Sequence, residues 1–351
     1  MPTIQDVAKL AQVSPSSVSN ALNGRTQRMR KETFQRIQKA IAQLNYQPNK
    51  IARHLKTGQL PILGMLVPST ANPLFGELAV AIETVAQKQY NYRLLVCNTQ
   101  RDISIESAML DDLISLGIKA VIVNSSMAET AHLLLAAKRG ITIISYDTSP
   151  RQPTNLPYDH IYPDSHKTGW LAAKTLIDQG HRQLALVKPE GATISRQDKT
   201  AGFIDAAHAA PHKVSTRIIK IPTKRSYGDS ELGQIGFDAA TKIAASQPIP
   251  TGVVAINDMI AIGLMAGLRH HHLQVPKDIS VIGMDNIPTT EFTWPPLTTI
   301  AMPVQAMAQT IVERALQRLE NPTTPPNAFR FEPTLLVRQS VSSPPIPHEV
   351  S

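Results

Sequence analysis

Near the N-terminus, apolar residues recur at three- and four-residue intervals, the period of a helix with one buried face. Ile4, Val7, Ala8 and Ala11 form one such face, and Val18, Ala21 and Leu22 form a second. Thr3 and Asp6 have the spacing of a capping box, and Ser14 before Pro15 places a good N-cap ahead of a residue suited to the first helical turn. Only Gln12 and Val13 are left for the turn between the two helices. This is the spacing of a helix-turn-helix, whose second helix shows its first residues to a DNA major groove, and an ordinary helical hairpin has the same pattern. Pro15, Ser16 and Asn20 are the candidate base readers. After the helix stop Asn23-Gly24, the spacing of Phe34, Ile37, Ile41 and Leu44 predicts a third helix that covers the first two.

Asn45 to Gly58 reads as a linker holding one short helix, Asn49 to Lys56, which is marginal alone because isolated helices under about 12 residues barely form in water. From Ile62 the pattern changes to short apolar strands alternating with helical stretches. ILGMLV, YRLLVC, KAVIV and ITIISY are strand candidates, with Leu74–Gln89, Ile105–Leu116 and Thr130–Arg139 as helices between them. A second set follows Pro163: helix Ser165–Gln179, QLALVK, helix Ser195–Ala209, VSTRIIKI, helix Asp229–Ser246, TGVVAI, helix Asp258–His270 and ISVIGM. Alternation of this kind gives parallel sheets covered on both faces. The fold class expected is an all-α helix-turn-helix headpiece followed by an α/β core of two doubly wound parallel-sheet lobes. LTTIAM, a helix over Val304–Leu319 and short strands near Phe329–Phe331 and Leu335–Val337 are not assigned to a lobe by periodicity.

Charge separates the DNA reading from the hairpin reading. Ten of the 35 lysines and arginines lie in residues 1–60 against only Asp6 and Glu32, so the formal net charge of +8 resides there. The remaining 25 basic and 25 acidic residues cancel. A basic excess confined to a groove-entering motif is what phosphate binding requires. Length predicts two or three domains. Met1-Pro2-Thr3 lacks a secretory n-region and no apolar run approaches the roughly 20 residues that span a bilayer, so a cytoplasmic, nucleoid-associated protein is expected. Cys97 is the single cysteine, which excludes an intrachain disulfide and a cysteine-based zinc site, and its apolar run predicts a buried strand position.

The residues I4-x-D6-V7-A8-x-x-A11-x-V13-S14, then Ser17-Val18-Ser19 and Ala21-Leu22-Asn23-Gly24, resemble the headpiece of the LacI/GalR family of bacterial transcription regulators. N45-Y46-x-P48-N49-x-x-A52-R53-x-L55 resembles that family's hinge, and the likeness runs to about Arg338. Ser17 stands where Thr is usual, and Pro15 offers no side-chain donor. The resemblance implies a homodimer on a near-palindromic operator, with DNA contacts from Thr3, Ser14, Pro15, Ser16, Ser17, Ser19, Asn20 and Asn23. From the hinge it implies contacts by Asn49, Ala52, Arg53 and Leu55, with Leu55 as a minor-groove wedge. It also implies a periplasmic-binding-protein-like core whose chain crosses between lobes three times. The boundaries expected are 1–47 for the headpiece and 48–60 for the hinge; 61–161 with 293–324 for the N-terminal lobe; 162–292 with 325–340 for the C-terminal lobe; and a flexible tail over 341–351.

Ligands of open α/β sheets bind outside the carboxyl ends of the strands. Polar residues just past the apolar runs are Ser69 to Phe75, Asn98, Asn124 with Ser125, Asp147, Asp164, Asn257 with Asp258, and Asp285 with Asn286. Each aspartate is also a candidate helix N-cap. The resemblance selects Asp147, Asp164, Lys199, Asn257 and Asp285 as effector-cleft residues, Phe75 as an apolar wall and Tyr227 as an aromatic platform. Lys199 stands where an arginine is typical. Carboxylates and amides beside an aromatic suit a polyhydroxylated effector, a sugar or sugar derivative, with purines and hydroxy acids as alternatives.

Enzyme chemistry finds little support. There is no GxGxxG, Walker A or GxSxG sequence. His270-His271-His272 point in different directions on a helix and suit its negative end better than a metal. The expectation is therefore a regulator with no metal or cofactor. A secreted solute-binding protein would carry a signal peptide and no basic headpiece. Nothing after Arg338 has leucine heptads, so no tetramerising coil is expected.

Overall fold

The computed structural model describes residues 2–22, 25–27, 29–46, 61–124, 130–150, 155, 157–224 and 231–345. Its contacts divide into two units, 1–60 and 61–351. The first holds three helices, α1 (Ile4–Ala11), α2 (Pro15–Leu22) and α3 (Lys31–Gln43). Thr3 caps α1 reciprocally: its hydroxyl accepts from the Asp6 amide while the Asp6 carboxylate accepts from the Thr3 amide at 2.8 Å. Those bonds hold the Asp6 carboxyl below its usual range. Val7, Ala8, Ala11, Val18, Ile37 and Ala40 make the small core the periodicity predicted. The predicted hinge helix, residues 49–56, lies outside the described residues.

The second unit contains two six-stranded sheets. The first strands are β1 (Ile62–Val67), β2 (Arg93–Asn98), β3 (Ala120–Val123), β4 (Thr142–Tyr146) and β5 (Asp159–Pro163). Around them lie α4 (Pro73–Tyr90), α5 (Ile103–Ser115) and α6 (Ala131–Lys138). After β5 come α7 (Ser165–Asp178), β6 (Gln183–Pro189), α8 (Ile194–His208) and β7 (Ser215–Ile221), then α9 (Leu232–Ala244), β8 (Gly252–Ala255), α10 (Asp258–His270) and β9 (Ser280–Asp285). The chain ends through β10 (Thr298–Ala301), α11 (Val304–Glu320), β11 (Ala328–Phe331) and β12 (Thr334–Leu336). Strand order is β11-β5-β4-β3-β1-β2 in one sheet and β12-β10-β9-β8-β6-β7 in the other. All pairings are parallel except β12 with β10. Strand order reverses between β1 and β3 and between β6 and β8, and a crevice opens at the carboxyl ends of the strands at such switch points.

The structure changes four expectations and adds one strand, β5. LTTIAM, placed in the first lobe with 293–324, forms β10 and pairs with β9 of the second sheet, because its buried Thr298 to Ala301 continue that ladder. Its helix α11 does pack on the first lobe, where Met307, Ala308, Ile311 and Val312 join the core of β1, β3 and β4. Residues 328–331, placed in the second lobe with 325–340, form β11 beside β5 of the first sheet, and only β12 joins the second. Strand β5 went unpredicted: DHIYP has one strongly apolar residue, and buried Asp159 survives by pairing with Arg314 at 2.8 Å and Arg318 at 3.0 Å. The start of the expected flexible tail is docked. The Ser342 carbonyl accepts from Nε2 of buried His181 at 2.9 Å and its amide donates to Ser280 Oγ at 3.0 Å; residues 346–351 lie outside the described ones. Cys97 is half-buried in β2 rather than buried, since β2 is an edge strand.

Candidate functional site

In the headpiece, the Ser14 hydroxyl accepts from the Ser17 amide at 3.2 Å and so caps α2. Ser14 Oγ also lies 2.7 Å from Ser16 Oγ and 3.0 Å from Ser17 Oγ. Burying Val18 fixes the roll of α2, which leaves Pro15, Ser16 and Asn20 exposed and Ser17 and Ser19 half-buried. Thr3 is exposed beside its cap partner. Gln12 makes the turn with a φ of 53°, in the left-handed region. Asn23, Asn49, Ala52, Arg53 and Leu55 lie outside the described residues.

The second site lies between the two sheets. Asp147, just past β4, accepts from Asn124 Nδ2 at 3.3 Å and from Ser195 Oγ at 3.3 Å. Asn124 follows β3 of the first sheet and Ser195 opens α8 of the second lobe, so Asp147 bridges the lobes. A parallel bridge joins Ser149 Oγ to Asp198 at 3.1 Å. Arg101, past β2, donates to Asn124 Oδ1 at 3.1 Å and supports the bridge from behind. Lys199, one turn along α8 from Ser195, lies 3.6 Å from Asp285 and donates to the Ile256 carbonyl at 3.4 Å. Phe75, in the first turn of α4, meets Tyr146 edge to face at 6.5 Å and forms an apolar wall with Leu74, Met302 and Met307.

Electrostatically the cleft is short of cations. Burial pushes the Asp147 carboxyl up against the opposing pull of Lys199 and Arg101. Asp285 is pushed up to about 8, first by burial and then by Asp258 and Asp147, with Lys199 opposing. Asp285 Oδ1 is buried and accepts no hydrogen bond. Asp285 and Asn286 also hold φ of 119° and 60°, unusual for residues with a Cβ, and Asn286 Oδ1 accepts from Arg338 at 2.9 Å.

Two of the predicted cleft residues are occupied elsewhere. Asp164 caps α7 through the Lys167 amide at 2.8 Å, with Arg330 3.5 Å from its other oxygen. Asn257 caps α10 through the Ile260 amide at 2.8 Å. Asp258, fully buried, holds Thr299 Oγ1 at 2.6 Å and the Ile287 amide at 2.9 Å, tying β9 to β10. Tyr227 lies outside the described residues. Arg101 and Ser195 were not predicted, although Arg101 follows an apolar run as the other candidates do, and Ser195 opens the helix after one. Among the described residues no group of three or more His, Cys, Asp or Glu could hold a metal ion, and no helix is long and apolar enough to cross a membrane.

Comparison with known proteins places both parts. Residues 3–49 match the description "Bacterial regulatory proteins, lacI family", and residues 173–341 match "Periplasmic binding protein-like domain". The chain is 32% identical over 346 residues, 98% of its length and 99% of the relative's, to a protein of Aliivibrio fischeri named HTH-type transcriptional repressor PurR. It belongs to the LacI family. It is accordingly a DNA-binding transcriptional regulator with an effector-binding domain. A repressor of the same name from Pasteurella multocida is also 32% identical over 98% of this chain and 99% of that one. Among solved structures, a LacI family regulator from Enterococcus faecium with bound ribose is 29% identical, with a TM-score of 0.68 over 80% of this chain and 99% of that one. The lac repressor bound to ONPG shares the fold, with a TM-score of 0.81 at 24% identity over 97% of this chain and 99% of that one.

Proposed function

We propose that this family member is a cytoplasmic, homodimeric repressor and not an enzyme, with a sugar or sugar derivative as the effector in the interlobe cleft. The observation that carries the effector reading is the buried pair Asp147 and Asp285, past the ends of β4 and β9, with Asp147 beside the Phe75–Tyr146 wall. Carboxyl groups exchange hydrogen bonds with paired hydroxyls, an aromatic wall packs the apolar face of a sugar ring, and Asp285 Oδ1 is buried without a hydrogen bond, the Lys199 ammonium standing 3.6 Å away. The ribose-bound relative supports this reading. A purine is the second reading, favoured by the whole-length likeness to repressors named PurR.

On DNA, exposed Ser16 and Asn20 contact base edges from the first turns of α2 while the headpiece lysines and arginines hold phosphates. The hinge helices of two copies pair over the operator centre, where Leu55 wedges between base steps at a cost of a few kcal/mol offset by added contact. Asp147 and Ser195 join the lobes, so a ligand that engages Asp147 shifts the angle between them and is coupled to the hinge. That coupling is reciprocal: DNA must change effector affinity by the same factor.

Isothermal titration of the full chain against sugars and purines, with and without operator, tests the effector reading. Binding of a sugar that Asp285→Ala abolishes while operator affinity is retained supports it. Binding of purines alone transfers the cleft to the second reading, and loss of operator binding in a folded Asp285→Ala protein refutes the cleft assignment. Leu55→Ala is expected to weaken operator binding strongly and leave ligand affinity nearly intact, by fluorescence anisotropy.

A further inference from the structure

One guanidinium spans the loop that joins β9 to β10. Arg338 stands just past β12, its amide donating to Thr298 Oγ1 of β10 at 2.9 Å and its side chain only 14% exposed. Its Nη1 donates to the Thr290 hydroxyl at 3.2 Å and to the Leu297 carbonyl at 2.8 Å. Its Nη2 donates to Asn286 Oδ1 at 2.9 Å and to the Glu291 carboxylate at 3.1 Å. The start, middle and end of residues 286–297 are thus tied to one planar group, a fork that a lysine ammonium does not reproduce. Glu291 is the one charged acceptor of the four and is 63% exposed, so its ion pair adds little. The neutral acceptors set the geometry.

The loop begins in a turn that does not hold itself. Asp285 and Asn286 lie in the left-handed region of φ, and residues with a Cβ keep such a backbone only where the surroundings over-determine it. Asp258 accepts from the Ile287 amide at 2.9 Å and from Thr299 Oγ1 at 2.6 Å, and Thr299 Oγ1 in turn accepts from the Asn286 amide at 3.4 Å. Those bonds fix the backbone after Asp285. Arg338 fixes the Asn286 side chain. Asp285 Oδ1 has no hydrogen bond of its own, with Lys199 at 3.6 Å, so the place of this carboxyl follows from the turn that carries it.

We propose that Arg338 is a positioning residue of the cleft: its guanidinium clasps residues 286–297, holds the left-handed turn at Asp285–Asn286, and so sets the place of the Asp285 carboxyl without itself touching the effector. The consequence for binding rests on the reading of Asp285 as an effector contact, whereas the clasp rests on the hydrogen bonds of the loop alone. Loss of the fork frees the Asn286 side chain, the turn relaxes toward ordinary negative φ, and the Asp285 carboxyl moves from its buried place toward water.

Urea unfolding of the ligand-free full chain from pH 5 to 8, and isothermal titration with ribose, glucose and adenine, test this. The change of stability with pH is a readout that a merely stabilising residue does not move. Buried Asp285, faced by Asp258, Asp147 and Lys199, makes stability fall over that range. Arg338→Lys, which keeps the charge, and Arg338→Met are both expected to flatten the fall toward the Asp285→Asn value, and to flatten it no further when combined with Asp285→Asn. Equal loss of stability at every pH in both variants makes Arg338 an ordinary structural residue and overturns the proposal. A flattening that persists in the Asp285→Asn background overturns it as well, as does a fall that Asp285→Asn itself leaves unreduced. In titration, the probe that binds the wild-type chain is expected to bind Arg338→Lys about tenfold more weakly, the scale of one charge-assisted hydrogen bond, and an unchanged affinity refutes the positioning role in binding. If none of the three probes binds the wild-type chain, the effector reading loses its support and the pH dependence alone decides the clasp.

Discussion

Asp285 concentrates the chemistry of the cleft in one side chain. Its carboxyl moves from an ordinary 3.8 to about 8 on folding, because burial and the Asp147 and Asp258 charges outweigh Lys199. The folded chain therefore binds more protons than the unfolded chain between those values, so the contribution is full below about pH 4 and is lost as pH rises through about 8. Asp147 and Asp258 are shifted upward too and act in the same direction. Urea unfolding of the ligand-free chain is expected to show stability falling from pH 5 to 8, and Asp285→Asn to reduce that slope by up to roughly one proton. An unchanged slope in Asp285→Asn would remove this account of the cleft. Asp147 and Asp285 were both visible in sequence as carboxylates after apolar runs. Their pairing with one lysine was not, because Lys199 comes from a helix whose distance from either strand end is set by packing.

At the scale of elements, capping and close approach decide where the functional side chains stand. Ser14 supplies an acceptor to the first turn of α2, and Ser14→Ala is expected to lower the protection of the Ser17 and Val18 amides by about 1 kcal/mol in hydrogen exchange. Helices α7 and α8 meet through Gly169 and Gly202: a Cβ on Gly169 would run into the Lys199 carbonyl, and one on Gly202 into the His166 carbonyl. Gly169→Ala is thus expected to push α8 outward and carry Lys199 from Asp285, weakening effector binding while leaving headpiece binding to DNA intact; titration calorimetry and anisotropy separate the two. The elements themselves were largely legible from periodicity, and β5 was missed because its strand is held by Asp159, Arg314 and Arg318 rather than by an apolar pattern.

At the scale of the molecule, Trp294 stands 88% exposed at a cavity of about 550 Å³ that Ile262, Met265, Leu273 and Val275 line together with Arg269 and His272, and Phe292, two residues away, is 85% exposed. Large exposed aromatics at a partly apolar hollow with a polar rim mark an association surface. Trp294→Ser is expected to shift the chain from dimer toward monomer in sedimentation, and operator affinity to fall with it, since half-site headpieces and hinge helices both need the partner. A dimer unaffected by this substitution would place the interface elsewhere. The logarithm of operator affinity should also fall linearly with the logarithm of salt concentration, because the net charge of +8 lies in the first 60 residues.

Local periodicity, capping residues and charge placement determined the three-helix head, the alternation of strands and helices and the concentration of positive charge, since each depends on neighbours a few residues apart. Which lobe receives β10, β11 and the residues from 341 onward was decided only by tertiary structure. So was the meeting of Asp147, Ser195, Lys199 and Asp285. Those outcomes depend on strand pairing and helix contacts between segments a hundred or more residues apart, and a linear pattern carries no information about which buried charge will lie beside which.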